Sequence, residues 1–318
     1  MKTEDRRLTM KNDCEIPGHK PFRRGKVRDF YQVPDPLNQG KFMENVVLCV
    51  TTDRISAFDR IMGETPGRGA ILCAISNFWK SKFNEYMPND LYKTEADEIL
   101  SYFGIKKVPE ELRNRISLVY LAESFPFEFV VRGYLAGSLH KEYKKKKCEN
   151  GYYFGQWLPA KMKEFQELDW PLLTPTTKSN NSRDESVNFS RVVEKIGRPM
   201  AERVHLASVA LYLMGHKYLQ KKGLMLADTK FEFGLRNING RESLCLIDEV
   251  LTPDSSRFWF AESYRSGQLP VSLDKQYYRD WLKGIGWNDS KPAPRIPKAV
   301  QQHLLEKYEF VWNTISGC

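Results

Sequence analysis

The chain has 318 residues, of which 41% are hydrophobic and 28% charged, a composition typical of globular proteins with a core for one large or two joined domains. Its formal net charge of +9 raises the question of nucleic acid binding. The cations are dispersed among acids except for the lysine run at 144–147, which is typical of a solvated helix end. We therefore expect no nucleic acid partner.

The sequence lacks the features typical of membrane-spanning, zinc-binding and disulfide-bonded proteins. No apolar run approaches the roughly 18–20 residues that span a bilayer, and residues 1–20 contain no apolar secretory core. The six cysteines form no CxxC pair, and the five histidines show no zinc-ligand spacing. We expect reduced thiols, a cytoplasmic location and no membrane partner.

The first half of the chain is predicted to contain short strands around one amphipathic helix. Residues 1–20 are polar and read as a loosely attached arm, and a turn is expected at 34–40. The helix is predicted at 70–83, where apolar residues recur on one face. Strands are predicted at 25–32, 46–51, 116–121 and 127–131.

The second half is predicted to be more helical. Residues 155–186 are polar and read as a long functional loop, followed by a helix at 199–221. Strands at 224–235 and 243–251 form a hairpin around Asn239-Gly240. Residues from 273 onward are predicted to be helical, and the absence of a regular βαβ alternation favours an α+β fold.

The sequence contains neither a GxGxxG motif nor a P-loop, so discrete cations would have to bind any phosphate. Lys26 and Arg28 are candidates, because alternation along a strand would place them on one face. An exposed, merely solvated strand explains the same spacing.

Acidic and basic residues alternate along the predicted hairpin. Asp228, Lys230 and Glu232 share one face of the first strand, and Asp248 ends the second strand. Carboxylates beside a lysine suit a divalent cation next to a phosphate. A structural ladder of salt bridges explains the spacing equally well. If Glu232 faces Asp248 across the hairpin, the turn must have an odd number of residues or a bulge.

Two further segments combine arginine with small residues. Arg132 and Ser138 flank a glycine-rich bend, and Arg257 ends a Pro-Asp-Ser-Ser-Arg segment. Such bends present backbone N–H groups, hydroxyls and guanidinium groups to an anion, although each alone is also typical of a capped turn. Together with the hairpin they suggest two anion subsites, one for ATP and one for a phosphorylated substrate.

These segments, in this order, resemble the SAICAR synthetase family. The resemblance covers roughly residues 22–260, and its last two motifs are long and specific. The motifs are GKVRD (25–29), TDRISAFD (52–59), FVVRGY (129–134), TPTTK (174–178), ADTKFEFG (227–234) and IDEVLTPDSSRFW (247–259).

The resemblance implies a two-part α+β fold related to ATP-grasp enzymes and kinases, with antiparallel sheets flanked by helices. On this basis we divide the chain into an N-terminal arm (1–20), an ATP-phosphate-binding domain (21–125), a catalytic domain (126–272) and a helical C-terminal extension (273–318). The implied reaction joins 5-aminoimidazole-4-carboxyribonucleotide to L-aspartate, with ATP and Mg²⁺.

The resemblance also implies roles for individual residues. Lys26, Arg28 and Lys178 would contact ATP, and Glu232 and Asp248 would hold magnesium beside the catalytic Lys230 and Asp228. The substrate residues would be Arg132, Ser138 and Arg257, which grip the ribonucleotide phosphate, with Asp53 and Ser56 in the cleft.

One segment departs from the family pattern. Arg183 stands where the family usually has histidine, so the role of the 179–186 loop is open.

The sequence shows no Cys/His or Ser/His pairing in the candidate site. Such a site fits phosphoryl transfer that proceeds by charge neutralisation. A kinase-like phosphotransferase using another acceptor is the alternative within the enzyme class.

Overall fold

A computed structural model describes residues 14–145, 151–154, 156–178, 185–288 and 290–317, and two antiparallel sheets organise them. The strands are β1 (Arg23–Arg24), β2 (Arg28–Pro34), β3 (Phe42–Thr51), β4 (Arg54–Ala57), β5 (Arg60–Glu64), β6 (Leu91–Lys93), β7 (Ile116–Tyr120), β8 (Glu123–Ser124), β9 (Phe127–Tyr134), β10 (Tyr152–Tyr153), β11 (Gln156–Trp157), β12 (Glu167–Thr177), β13 (Leu224–Ile238), β14 (Arg241–Ile247) and β15 (Ser256–Phe260). The helices are α1 (Arg68–Phe83), α2 (Ala96–Ser101), α3 (Gly137–Lys145), α4 (Phe189–Ile196), α5 (Arg198–Gln220), α6 (Gln276–Gly284) and α7 (Lys298–Ser316), with a 3₁₀ turn at Glu110–Leu112.

The first sheet has the strand order β1-β2-β3-β7-β6. Its central strand β3 is buried from residue 46 to residue 51, which explains the continuous apolar run in the sequence. One face, including Leu48, packs against α2, and the other carries a smaller cluster around Val47.

The second sheet has the order β12-β9-β13-β14, and β8 and β15 also pair with β13. One face carries Phe129, Phe231 and Phe233, which pack with α1 and α5 in the largest hydrophobic core. The opposite face of β9 and β13 carries the alternating polar residues. The predicted α+β fold with antiparallel sheets and flanking helices is confirmed.

The prediction of a loop across 155–186 is wrong for residues 167–177, which form β12. This strand lies at the edge of the second sheet, where Pro171 and Pro175 need not donate ladder hydrogen bonds. The pairing of β12 with β9 shifts its register between Glu167 and Leu172. Residues 179–184, which include Arg183, lie outside the described residues, as do residues 146–150 at the end of the lysine run.

The two ends of the chain pack on the rest of the molecule. In the described part of the predicted arm, Ile16 is 1% exposed and belongs to the first sheet's core, so residues 14–20 are not loosely attached. Helix α7 contributes Val311 to the largest core and Leu304 to a cluster with the β4–β5 hairpin. Within the described residues, no helix is long and apolar enough to cross a membrane.

Candidate functional site

The polar face of the second sheet brings together acidic and basic side chains from three strands. Lys230 Nζ lies 2.5 Å from Glu128 Oε1 and 3.3 Å from Glu232 Oε1. Lys178, one residue beyond β12, pairs with the other oxygen of Glu232. Glu232 is only 5% exposed, so its charge is balanced by these two ammonium groups rather than by water.

A second carboxylate, Asp248, reaches this cluster from the residue after β14. Arg28 forms an ion pair with Asp248 and lies 3.5 Å from Glu249. Arg28, the first residue of β2, therefore links the predicted phosphate-binding segment to the two acidic residues that follow β14.

The hairpin does not have the register in which Glu232 would face Asp248. The turn is the simple two-residue kind, because Ile238 pairs with Arg241, and Glu232 is opposite Ile247. Asp248 lies beyond the strand and adopts a left-handed backbone conformation with φ 64°. Strand alternation no longer applies there, so the register of the ladder does not decide on which face of the sheet the Asp248 side chain lies.

The charges of Glu232 and Asp248 are set by different surroundings. Burial raises the pKa of Glu232, and the charge of Asp248 raises it further against the opposing effect of Lys230. Burial would also raise the pKa of Asp248, but Arg28 and Lys230 outweigh it and hold that pKa below its ordinary value. The surroundings thus lower the pKa of Asp248 and raise that of Glu232.

These two carboxylates have the donor chemistry of a magnesium site. Magnesium in nucleotide enzymes is held by one or two carboxylates, with phosphate and water oxygens as the remaining ligands. Among the described residues, no group of three or more His, Cys, Asp or Glu side chains forms a metal site by itself. Glu232 and Asp248 could hold such a metal only together with ligands from outside the protein, such as phosphate and water oxygens.

A separate cluster surrounds Asp228, two residues before Lys230. Asp228 pairs in register with Arg132 on β9 and with Arg257 on β15, so both guanidinium groups meet it across the sheet. Arg132 Nη1 lies 3.2 Å from Asp228 Oδ2, and Arg257 forms an ion pair with the same oxygen. Arg132 also donates to Ser138 Oγ at 2.9 Å and Thr174 Oγ1 at 2.8 Å.

This second cluster has an excess of positive charge. Burial lowers the pKa of Arg132, and Asp228 opposes that effect while the nearby Arg257 adds to it. The exposed Ser138 lies in the first turn of α3, where backbone N–H groups favour an anion. Two arginines, a hydroxyl and a helix N-terminus together have the donor chemistry to bind a phosphate group.

Lys26 does not lie on the strand that carries Arg28. Gly25 N donates to Arg28 O at 2.7 Å, which closes a tight turn before β2 begins at Arg28. Lys26 is in this turn, and its Nζ lies 2.8 Å from Asp59 Oδ1. The predicted shared face is therefore wrong, and Lys26 is half-exposed in its pair with Asp59.

The two remaining candidates, Asp53 and Ser56, contact residues outside both clusters. Asp53 Oδ1 accepts a hydrogen bond from Gly69 N at 2.8 Å, at the start of α1, and lies 2.9 Å from Arg115 Nη1. Ser56 is half-buried in β4, opposite Ile61.

Several residues of the site were missed in the sequence. Glu128 lies on the same face of β9 as Arg132, and alternation from Arg132 indicates this position. Glu249 follows Asp248 directly and contacts Arg28 and Thr252. Asp254 contacts Arg68 and Lys275, and this buried network joins segments too distant in sequence for any local pattern to reveal.

Comparisons with known proteins point to one family. The model of the SAICAR synthetase family matches residues 21–294. The chain is 41% identical over 298 residues to the phosphoribosylaminoimidazole-succinocarboxamide synthase of Nitrosomonas europaea, covering 93% of this chain and 94% of the relative. The Chromobacterium violaceum protein of the same name is 39% identical over 300 residues, covering 94% and 99%.

Solved structures are similar over nearly the whole chain. SAICAR-synthase from Saccharomyces cerevisiae complexed with SAICAR matches with a TM-score of 0.81 and 35% identity, covering 96% of this chain and 97% of that one. A type-2 SAICAR synthetase in complex with ADP shares the fold, with a TM-score of 0.63 and 23% identity over 93% and 97%.

Proposed function

The chain belongs to the SAICAR synthetase family, and from that premise we propose how its two clusters divide the reaction. The activity is that of an ATP-dependent carbon–nitrogen ligase of purine biosynthesis. It joins the carboxylate of 5-aminoimidazole-4-carboxyribonucleotide to the amine of L-aspartate and releases SAICAR, ADP and phosphate.

One observation carries the division of roles: a single strand, β13, holds residues of both clusters. Asp228 binds the two arginines, while Lys230 and Glu232 belong to the acidic cluster. At roughly 3.3 Å per residue, Asp228 and Glu232 are separated by about 13 Å along the strand. This spacing suits a phosphoryl donor at one end and a phosphorylated acceptor at the other.

The acidic cluster is the proposed nucleotide site. Lys26, Arg28 and Lys178 would bind ATP phosphates, and Glu232 and Asp248 would hold Mg²⁺. A bound Mg²⁺ supplies charge neutralisation for the transferred phosphoryl group. The existing ion pairs support this role, because Arg28 and Lys178 already face carboxylates that a metal–polyphosphate could engage.

The arginine cluster is the proposed acceptor site. Arg132, Ser138 and Arg257 would bind the ribonucleotide phosphate, with Asp228 fixing both guanidinium groups. Lys230 would stand between the sites and stabilise negative charge on the transferred group. Asp53 and Ser56 are included as cleft residues on the family resemblance alone.

The proposed chemistry proceeds through an acyl phosphate. A carboxylate oxygen attacks the γ-phosphorus of ATP, the bond to ADP breaks, and ADP leaves. The aspartate amine then attacks the acyl carbon, loses a proton, and displaces inorganic phosphate. The residues orient both reactants and offset their negative charge, so a covalent protein nucleophile is unnecessary.

Isotope transfer tests this chemistry. Substrate labelled with oxygen-18 in its carboxylate is expected to deliver one labelled oxygen to each released phosphate. Mass spectrometry of the phosphate measures the transfer, and unlabelled phosphate would contradict the acyl phosphate.

An assay of ADP release separates the ligase from a kinase-like phosphotransferase. We expect sustained turnover only with both the imidazole carboxyribonucleotide and aspartate, and SAICAR as the product. Turnover that does not depend on aspartate would favour the phosphotransferase.

The proposal also includes a cytoplasmic location and no nucleic acid partner. Retention of RNA at physiological salt would contradict the absence of a nucleic acid partner.

A further inference from the structure

Asp248 adopts a backbone conformation that requires support. Its φ of 64° lies in the left-handed region, which residues other than glycine seldom occupy. Such conformations persist when the surrounding structure holds them. A contact to its backbone N–H would therefore help to keep its carboxylate paired with Arg28.

The segment 88–90 runs alongside the end of β14 and supplies this support. Leu246 N donates to Pro88 O at 2.9 Å, and Asp90 N donates to Leu246 O at 3.0 Å. At the next position the ladder continues with a side chain, because Asp248 N donates to Asp90 Oδ2 at 3.2 Å. Asp90 thus holds the residue that departs from the strand.

Asp90 is itself fixed by a buried ion pair from α1. Its Oδ1 lies 2.5 Å from Lys80 Nζ, and the two side chains are 8% and 6% exposed. The neighbouring Asn89 donates from Nδ2 to Lys80 O at 2.9 Å. Two contacts therefore tie the segment 88–90 to the end of α1.

We propose that Asp90, oriented by Lys80, is a positioning residue that holds Asp248 in its metal-binding conformation. This inference rests on the proposed role of Asp248 as a magnesium ligand. Hydrogen-bonded groups behind metal ligands contribute roughly 10–100-fold to metal affinity. Asp90 acts on the backbone of the ligand, so its loss affects the metal more than the nucleotide.

Calorimetric titration tests the proposal with two probes, MgADP and ADP in EDTA. In Asp90→Ala we expect MgADP affinity to fall about tenfold and metal-free ADP affinity to change less than twofold. Unchanged MgADP affinity in a folded variant, or equal losses for both probes, would overturn the proposal.

A pair of double variants avoids the unpaired buried charge that could unfold Asp90→Ala. Lys80→Met/Asp90→Asn keeps an oxygen that can accept the Asp248 N–H, whereas Lys80→Met/Asp90→Leu does not. The first is expected to bind MgADP within about threefold of the wild type and the second about tenfold more weakly. Equal MgADP affinities in the two would contradict a positioning role.

Two further variants separate this inference from the proposed function. Asn77→Ala removes a 2.9 Å hydrogen bond from α1 to Ser117 and is expected to leave MgADP affinity unchanged; a loss there equal to that of Asp90→Ala would show a general effect of α1. Asp248→Asn is expected to lose MgADP affinity. If it does not, the metal assignment fails; if only the Asp90 variants bind normally, the positioning role fails alone.

Discussion

Glu232 lies between charges of opposite sign. Lys178 and Lys230 stabilise its carboxylate, while burial and Asp248 act against ionisation. A divalent cation between Glu232 and Asp248 would remove their repulsion and leave the lysines for phosphate oxygens. In the proposed complex, the same groups that interact with one another in the free protein would become ligands of the metal and the nucleotide.

Replacing the proposed ligands tests this arrangement. Glu232→Gln and Asp248→Asn keep the side-chain shape but remove the charge, so about 3 kcal/mol or more of transition-state stabilisation should be lost, a decrease of about 100-fold in kcat/KM. Steady-state kinetics across a magnesium titration measures the effect.

An exposed carboxylate on the same hairpin provides the control. Glu242→Gln on β14 should retain wild-type kinetics. Near-normal turnover of Glu232→Gln or Asp248→Asn at saturating magnesium would contradict their assignment as ligands.

Residues on regular strands were predictable where alternation holds. Lys230 and Glu232 lie on one face of β13 as the spacing predicts, with Phe231 and Phe233 in the core. Asp248 was identified from its motif, but its position was not, because a left-handed residue after β14 breaks the period of two. The predicted shared face of Lys26 and Arg28 was wrong for a related reason. Lys26 lies in the tight turn before β2, where strand alternation does not apply.

Helix α3 begins beside Arg257 in the proposed acceptor site. Gly137 has φ 60°, and a Cβ built there would lie 2.3 Å from Arg257 Nη2. The backbone therefore approaches the guanidinium group more closely than any side chain permits. This approach directs the first turn of α3 toward the proposed phosphate position.

Gly137→Ala should displace Arg257 and strain the start of α3. A cost of about 1–2 kcal/mol would raise the KM for the ribonucleotide about 5–30-fold, with little change in the KM for ATP. Gly240→Ala is the matched control, since Gly240 has φ 79° in an open turn with nothing within 4 Å of a built Cβ. Equal KM changes in the two variants would contradict a specific role.

Element types were predicted best where the apolar period was clear. Helices α1 and α5 and the β13–β14 hairpin with its Asn239-Gly240 turn follow the predicted pattern. Strand β12 was missed because it contains two prolines, which its edge position accommodates. Edge position is a tertiary property, and a single sequence does not encode it locally.

The C-terminal helices are integral to the molecule. Asp254, at the start of the segment that carries Arg257, pairs with Arg68 of α1 and Lys275 before α6, and accepts a hydrogen bond from Tyr308 of α7. The proposed boundary at residue 273 therefore crosses a buried network. Helix α1, assigned to the first domain, also packs in the core of the second sheet, so the domain division stays a prediction about roles.

The network gives a stability prediction with a defined pH dependence. Asp254→Asn leaves Arg68 and Lys275 buried without their carboxylate, so we expect a loss of about 3–5 kcal/mol in the free energy of unfolding at neutral pH. Burial alone would raise the pKa of Asp254, but Arg68 and Lys275 hold it well below its ordinary value of 3.8. A carboxyl whose pKa is lower in the folded state stabilises the protein above its unfolded-state pKa, and this contribution declines as pH falls through and below that value.

The difference in the free energy of unfolding between wild type and Asp254→Asn should therefore be constant from about pH 8 to 5 and shrink below about pH 4. Urea unfolding across this range measures it, with Asp280→Asn, which removes an exposed pair to Lys283, expected to change stability by less than about 1 kcal/mol. A difference for Asp254→Asn that grows as the pH falls would contradict the ion-paired carboxylate on which the junction of α1, α6 and α7 depends.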